Sequence, residues 1–263
     1  METYVNSTIE GCVKISIVIP AKNEEENIEP LVREICEALV DTPDYEIIYV
    51  DDGSTDRTYQ KIRELSLSRF EHVKAIKHLY SVGQSTAIWN GVKQAKGELI
   101  VTLDADGQND PADIPKLIAH AAPFPEGIHF CIAGNRKNRK DTPWKRLQSR
   151  VANRIRGQIL RDNTPDTGCG LKVFPKQTFL TLPYFDHMHR FIPALVRRQG
   201  GTVKVVDVHH RNRAYGSSKY NMLGRLGAGV LDIAGVLWLQ KRSKLTDIVL
   251  DPEGGSIDAQ QSS

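Results

Sequence analysis

The sequence predicts an α/β protein, built on a mostly parallel sheet with helices on both faces and followed by a C-terminal amphipathic helix. Three observations predict it. Short runs rich in β-branched residues alternate with segments of helical period. Two of those runs end in acidic clusters, where ligands bind in open parallel sheets. The 263 residues are 40% apolar and 25% charged, enough for a core without disulfides or structural metal.

The elements follow in order. Residues 14–20, KISIVIP, read as a buried strand. Ile28, Leu31, Val32, Ile35 and Leu39 recur at helical spacing behind the acids Glu24 to Glu26, which suit a helix N-terminus. Residues 46–50 form a second strand, ending in Asp51-Asp52-Gly53-Ser54, with a helix over 55–67. A strand over 73–79, a helix over 85–95 and a strand over 98–103 lead to Asp104. A helix at 113–121, a strand at 128–133 and a basic amphipathic helix at 144–160 follow. The second half adds strands at 170–174 and 202–208 around a helix at 189–199.

The last predicted helix runs from Tyr220 to Leu239. Leu223, Leu226, Val230, Ile233, Leu237 and Trp238 share one face, with Arg225 and Asp232 opposite. Lys241, Arg242 and Lys244 follow, a pattern suited to a membrane interface. The chain divides into a catalytic domain over 1–220, this helix within 221–244, and a polar, disordered tail over 245–263. No signal peptide is read at the N-terminus, and no uncharged segment reaches the roughly 20 residues of a spanning helix.

Net charge is only +3, and no nucleic-acid partner is expected. The distribution says more: Arg136 to Arg161 holds ten Lys/Arg against one acid, Asp141. Such a run is either a solvated helix face or a patch for phosphate or an anionic membrane. The four cysteines lack metal-ligand spacing, and Cys36 and Cys131 read as small core residues.

Asp104-Ala105-Asp106-Gly107-Gln108 carries the strongest chemistry. Two carboxylates one residue apart at a strand end can face one ion, and oxygen ligands suit Mg²⁺ or Mn²⁺ beside substrate phosphates. The plain alternative is a capping turn. A buried strand before it and a second acidic pair on the same sheet edge favour the metal.

SIVIPAKNEEENI (16–28), VDDGSTDRT (50–58) and LDADGQNDP (103–111), in that order, resemble the family 2 glycosyltransferases. The resemblance implies the nucleotide-binding GT-A fold, with Asp104, Asp106 and Gln108 holding the cation. It also implies a nucleotide pocket of Pro20, Ala21, Asn23, Glu24, Asp51, Asp52, Asp104 and Ala105, with Asp52 on base or ribose.

Gly134-Asn135-Arg136, Lys145-Arg146-x-x-Ser149-Arg150, His189-Arg190-Phe191-Ile192-Pro193 and Arg211-x-Arg213-x-x-Gly216-x-Ser218-Lys219 are similar to the polyprenyl-phosphate glycosyltransferases. That group includes dolichyl-phosphate mannose synthase and the bacterial undecaprenyl-phosphate aminoarabinose and galacturonate transferases, enzymes of cell-envelope chemistry. It implies that Arg136, Lys145 and Ser149 bind the lipid phosphate. Lys145 keeps the charge of the family's usual Arg but not its fork. Asp166 would orient the acceptor or act as a base, and Arg213, Ser218 and Lys219 would close over the diphosphate. Cys169-Gly170-Leu171-Lys172 departs from the Ser-Gly-Phe-Arg frequent in that group.

The expected reaction is inverting transfer of one sugar to a polyprenyl phosphate. By analogy the donor is a UDP-linked uronic acid or amino sugar. The protein would act peripherally on the cytoplasmic face of a membrane, alone or aided by an oligomer or partner. The rivals are a GDP-mannose donor, a glycan acceptor, a nucleotide-sugar pyrophosphorylase and a non-catalytic nucleotide-sugar-binding protein. The pyrophosphorylase would need a Gly-rich loop after the first strand, which residues 20–24 lack.

Overall fold

The computed structural model describes residues 14–42, 44–68, 70–136, 156–157, 159–162, 164–213 and 222–242. The elements are β1 (Ile15–Ala21), α1 (Ile28–Ala38), β2 (Tyr45–Asp51), α2 (Thr58–Ser68), β3 (Val73–Lys77), α3 (Gln84–Gln94), β4 (Leu99–Thr102), α4 (Ile114–Ala121) and β5 (Phe130–Arg136). Then come β6 (Lys172–Pro175), α5 (Lys176–Leu180), α6 (Ile192–Arg198), β7 (Thr202–Val208) and α7 (Met222–Lys241).

The strands form one sheet in the order β3-β2-β1-β4-β6-β5-β7. All neighbours pair in parallel except β6, which runs antiparallel to both β4 and β5. β1 and β2 are buried on both faces, which explains their nearly unbroken apolar runs. Ile17, Ile19, Ile47 and Tyr49 meet α1, α2 and α4 on one face. Val18, Ile48, Val50 and Phe174 meet α3, α5 and α6 on the other. α3 sits very close to the sheet at Gly91, where a Cβ would lie 2.4 Å from Val18 Cγ1. Any side chain there would push the helix off the sheet.

The opposite end of the sheet is pinned by Glu46, which accepts from Ser16 Oγ at 2.6 Å, from the Lys96 backbone N–H and from Lys74. Burial alone would raise its pKa, but Lys74, Ser16 and Lys96 together hold it below the ordinary value.

The predicted alternation holds through β5. α5 was not expected, and no pattern announced that β6 would run antiparallel. Residues 144–155 of the expected basic helix lie outside the described residues, while 156–157 and 159–160 are helical. Cys131 is fully buried and Cys36 half-buried, as expected of core thiols.

α7 exists, but its faces differ from expectation. Val236 is fully buried, with Ile233, Leu237 and Leu239 packed against the same cluster. Asp232, expected on a solvent face, hydrogen-bonds His187 Nδ1 at 3.0 Å. Val230 and Trp238, expected beside Ile233, are 67% and 61% exposed. Gln240 Nε2 donates to the Leu160 carbonyl and Arg198 Nε to that of Leu239. The helix is apolar almost all round, so its period could not select the packing side. Among the described residues no helix is long and apolar enough to cross a membrane.

Candidate nucleotide and metal site

The loops leaving β1, β2 and β4 meet at the carboxyl edge of the sheet. The first two are laced together. Asn23, with φ of 54°, receives the Thr55 N–H on its Oδ1 at 2.8 Å and donates its own N–H to Ser54 Oγ. The Glu24 N–H donates to Thr58 Oγ1, and Asn27 Nδ2 donates to Glu24 Oε2. Glu24 is raised above the ordinary carboxyl value by burial, with Arg213 and Asn27 opposing and Asp106 adding to it.

Asp51 ends β2 and Asp52 opens the loop after it. Asp52 accepts four hydrogen bonds: His78 Nδ1 and the Val82 N–H on Oδ1, Ser81 Oγ and the Gly83 N–H on Oδ2, all within 2.9 Å. These occupy the roughly four lone-pair sites of a carboxylate. Burial would raise its pKa; the four donors win and hold it low. Asp51 is fully buried and neither carboxylate oxygen has a hydrogen-bond partner among the described residues.

Asp104 follows β4 and receives Gln84 Nε2 on Oδ1 at 2.8 Å. Burial, with Asp106 adding to it, pushes its carboxyl up to about 6 against the pull of Lys172 and Arg136. Gly170 makes the room: a Cβ there would sit 2.3 Å from the Asp104 carboxyl. Asp106 Oδ1 accepts the Gln108 N–H, and its Oδ2 lies 3.9 Å from Arg213 NH2, which also donates to Glu24 Oε1. Ala105 is 3% exposed with its side chain in the core, so only its backbone can reach the cleft. Ala21 is likewise buried, and Pro20 partly so.

Among the described residues, no three His, Cys, Asp or Glu side chains form a metal cage. The donors expected from the sequence are the carboxylates of Asp104 and Asp106, which feel each other's charge, and the amide of Gln108. That fits a cation of the Mg²⁺ type, which keeps waters and takes ligands from substrate phosphates. Burial is the main cause of the raised Asp104, with the Asp106 charge adding to it, and a divalent cation would offset both.

Arg136 and Asp166 form a buried, bidentate pair: Nε to Oδ2 at 2.6 Å and NH2 to Oδ1 at 2.8 Å. Burial would lower the Arg136 pKa, but Asp166 raises it further. Lys145, Ser149, Ser218 and Lys219 lie outside the described residues.

Four participants went unassigned in the sequence. Gln84 orients Asp104. Gly170 admits its carboxyl. Lys172 is buried and donates to the Cys169 carbonyl, close enough to lower the Asp104 pKa. Arg211 braces the metal turn, donating to the carbonyls of Gly107 and Asn109 and to Glu34 Oε2 on α1 at 2.7 Å. In the sequence Lys172 showed only as a departure from the family's Arg, Gly170 only as the glycine that matches that pattern, and Arg211 only as half of an Arg-x-Arg pair.

The family model for glycosyl transferase family 2 matches residues 16–181, which include the loops after β1, β2 and β4 but not Arg211 and Arg213. The chain belongs to glycosyl transferase family 2. Among curated proteins it is 35% identical over 219 residues to undecaprenyl-phosphate 4-deoxy-4-formamido-L-arabinose transferase of Enterobacter sp.. That match covers 82% of this chain and 65% of the relative. It is 33% identical to dodecaprenyl-phosphate galacturonate synthase of Rhizobium johnstonii, over 87% of this chain and 68% of that one. The chain thus spans about two-thirds of the length of these relatives.

Among solved structures it resembles mannosyl-3-phosphoglycerate synthase from Rubrobacter xylanophilus, with TM-score 0.68, 17% identity, and coverage of 92% and 78%. It also resembles glucosyl-3-phosphoglycerate synthase from Mycobacterium tuberculosis in complex with Mn²⁺, UDP-glucose and phosphoglyceric acid. There the TM-score is 0.61, the identity 21%, and the coverage 86% and 79%. These likenesses establish the GT-A fold of this family 2 member.

Proposed function

We propose that this family 2 member transfers a single sugar from a nucleotide-sugar, UDP-linked, to a polyprenyl phosphate, with inversion and with Mg²⁺ or Mn²⁺. The observation that carries the reading is the convergence of Asp104, Asp106 and Arg213 at the sheet edge, two anions and one cation, with Asp106 and Arg213 3.9 Å apart. Asp104, Asp106 and Gln108 would hold the cation, which neutralises charge on the departing diphosphate. The polyprenyl-phosphate names of the curated relatives, at 33% and 35% identity, support the acceptor. A uronic acid or amino sugar as the transferred group follows the same names.

The protein's own groups have distinct tasks. Arg213 leaves Glu24 and Asp106 for the diphosphate and offsets its growing charge. The backbone around Pro20, Ala21, Asn23 and Glu24 walls the nucleotide pocket, and Asp51, fully buried with no partner on either carboxylate oxygen among the described residues, would accept from a base or ribose once the pocket opens to it. Asp52 acts one step back, by holding the 81–83 loop. Asp166, paired on both oxygens with Arg136, orients the acceptor rather than taking a proton. A phosphate monoester is already anionic and attacks without a base. Lys145 and Ser149 complete the phosphate seat with Arg136.

Attachment is peripheral, to the cytoplasmic membrane face. Val230, Leu231 and Trp238 form an exposed apolar strip on α7, with Lys241 and Arg242 behind it. The deciding assay incubates the protein with a donor panel, undecaprenyl phosphate and Mg²⁺ or Mn²⁺, and reads the lipid product by mass spectrometry. A glycosylated lipid phosphate with a UDP-sugar is the expected result. Transfer to glycans with the lipid omitted, or no transfer at all, would overturn it.

A further inference from the structure

A groove of about 820 Å³ lies between β3 and the C-terminal part of α3, and no role described so far uses it. β3 is the edge strand of the sheet. Ile48 and Ile76 form an apolar floor, and Lys74, Lys77, Lys93 and Lys96 rim it. Lys74 is committed to Glu46, and Lys77 lies over the Tyr59 ring, 4.8 Å from its centroid. Lys93 and Lys96 are exposed and have no acidic partner among the described residues.

Lysines on an edge strand guard it against pairing with other strands. That accounts for Lys74 and Lys77. It does not account for Lys93, on the last turn of α3, or Lys96, on the loop beyond it. The negative end of the α3 dipole weakly opposes an anion here, and the lysines outweigh it.

The inner wall of the groove leads back to the cleft. Asn90 Nδ2 donates to His78 Nε2 at 3.0 Å, which leaves the proton on Nδ1, donated to Asp52 Oδ1 at 2.8 Å. The Asn90 amide has two hydrogens and spends one on His78. The second is available to a ligand in the groove. Asp52 in turn holds the backbone of Val82 and Gly83.

We propose that this groove binds a phosphate-bearing anion, held by Lys93, Lys96 and the second Asn90 N–H, and that its occupancy stiffens the 81–83 loop through His78 and Asp52. The binding stands independently of the transferase reading; only the consequence for the donor rests on it. The anion could be carried by a soluble phosphate compound or by a lipid headgroup, which share this chemistry.

The test uses the full chain in EDTA, so that metal-assisted binding in the cleft is silent. Inorganic pyrophosphate is titrated calorimetrically into wild type, Lys93→Glu/Lys96→Glu and Arg213→Ala. The double variant should lose affinity by about tenfold or more, since two attractive charges become repulsive. Arg213→Ala should bind as wild type does. Hydrogen exchange at Val82 and Gly83 should slow with pyrophosphate in wild type and not in Asn90→Leu, a readout that activity does not enter. Competition by phosphatidic acid in phosphatidylcholine vesicles would assign the anion to a headgroup; no competition would assign it to a soluble phosphate. Undiminished binding by the double variant, loss in Arg213→Ala instead, or no binding by wild type would overturn the site. Unchanged exchange with pyrophosphate bound would overturn the coupling.

Discussion

Two acidic clusters stand on one sheet edge, and the protein treats them in opposite ways. Asp52, after β2, is surrounded by four donors and its pKa is held low. Asp104, after β4, is pushed up to about 6 by burial first and by the neighbouring Asp106 second, with Gln84 as its one side-chain hydrogen-bond donor. The first carboxylate is consumed by the fold. The second keeps an unmet demand for positive charge. Sequence position, residue type and sheet edge are shared, so the difference lies in how many N–H and O–H groups each loop supplies. An acid whose partners are all internal builds a site; one left short of partners is where a ligand belongs.

Substitution at the two clusters should break this comparison in different currencies. Asp106→Asn should cut sugar transfer by about 10³-fold, as loss of a metal and transition-state contact does. Its urea midpoint should match or exceed that of wild type, because a repulsive charge is gone. Near-normal turnover would remove the metal reading. Gly170→Ala forces a methyl against the Asp104 carboxyl, and turnover should fall by about 10²-fold with displacement of that group. Steady-state kinetics across a Mn²⁺ series should show the loss as weakened metal dependence.

Asp52→Asn should act on stability first. It leaves at least one buried loop donor facing an amide N–H, at a cost of about 2 kcal/mol in urea unfolding. A variant as stable as wild type would show that the four contacts carry no net energy.

The pH profile offers the smallest and sharpest contrast. A depressed carboxyl stabilises the fold above its unfolded pKa of about 3.9, and that stability is lost as pH falls through the folded value. The Asp52→Asn deficit should therefore shrink in acid. A raised carboxyl works the other way: between its unfolded pKa of about 3.9 and its folded value, the native state holds more protons, so stability falls as pH rises. In EDTA, wild type should lose about 3 kcal/mol over that window up to about 6, and Asp104→Asn should flatten the loss. Matching slopes in the two variants would erase the distinction drawn here.

Much of this was legible in the sequence, for physical reasons. β1 and β2 are buried on both faces, so their apolar runs admit few other readings. The two acidic clusters fall at strand ends because loops, not strands, can carry them. Strand direction was not legible: β6 pairs antiparallel, and four apolar-flanked residues look the same either way. Nor was the division of labour between Asp51 and Asp52, which depends on Ser81, Val82 and Gly83 arriving from a separate loop. Arg211 was visible only as half of an Arg-x-Arg pair, since its partners Glu34, Gly107 and Asn109 are brought to it by the fold. In α7, near-uniform apolarity hid the side that packs, and Val236 was overlooked in favour of Trp238.

Arg211 also sets where motion can occur. Its guanidinium is tied to a helix and to two carbonyls of the metal turn, and its own N–H donates to the Gln108 carbonyl at 2.9 Å. Arg213 stands two residues further on, a lever of about 7 Å from that anchor. The anchor works as a pivot pin. Any displacement of Arg213 toward a ligand is taken up at residues 212 and 213, while Arg211 keeps the turn carrying Asp106 and Gln108 tied to α1.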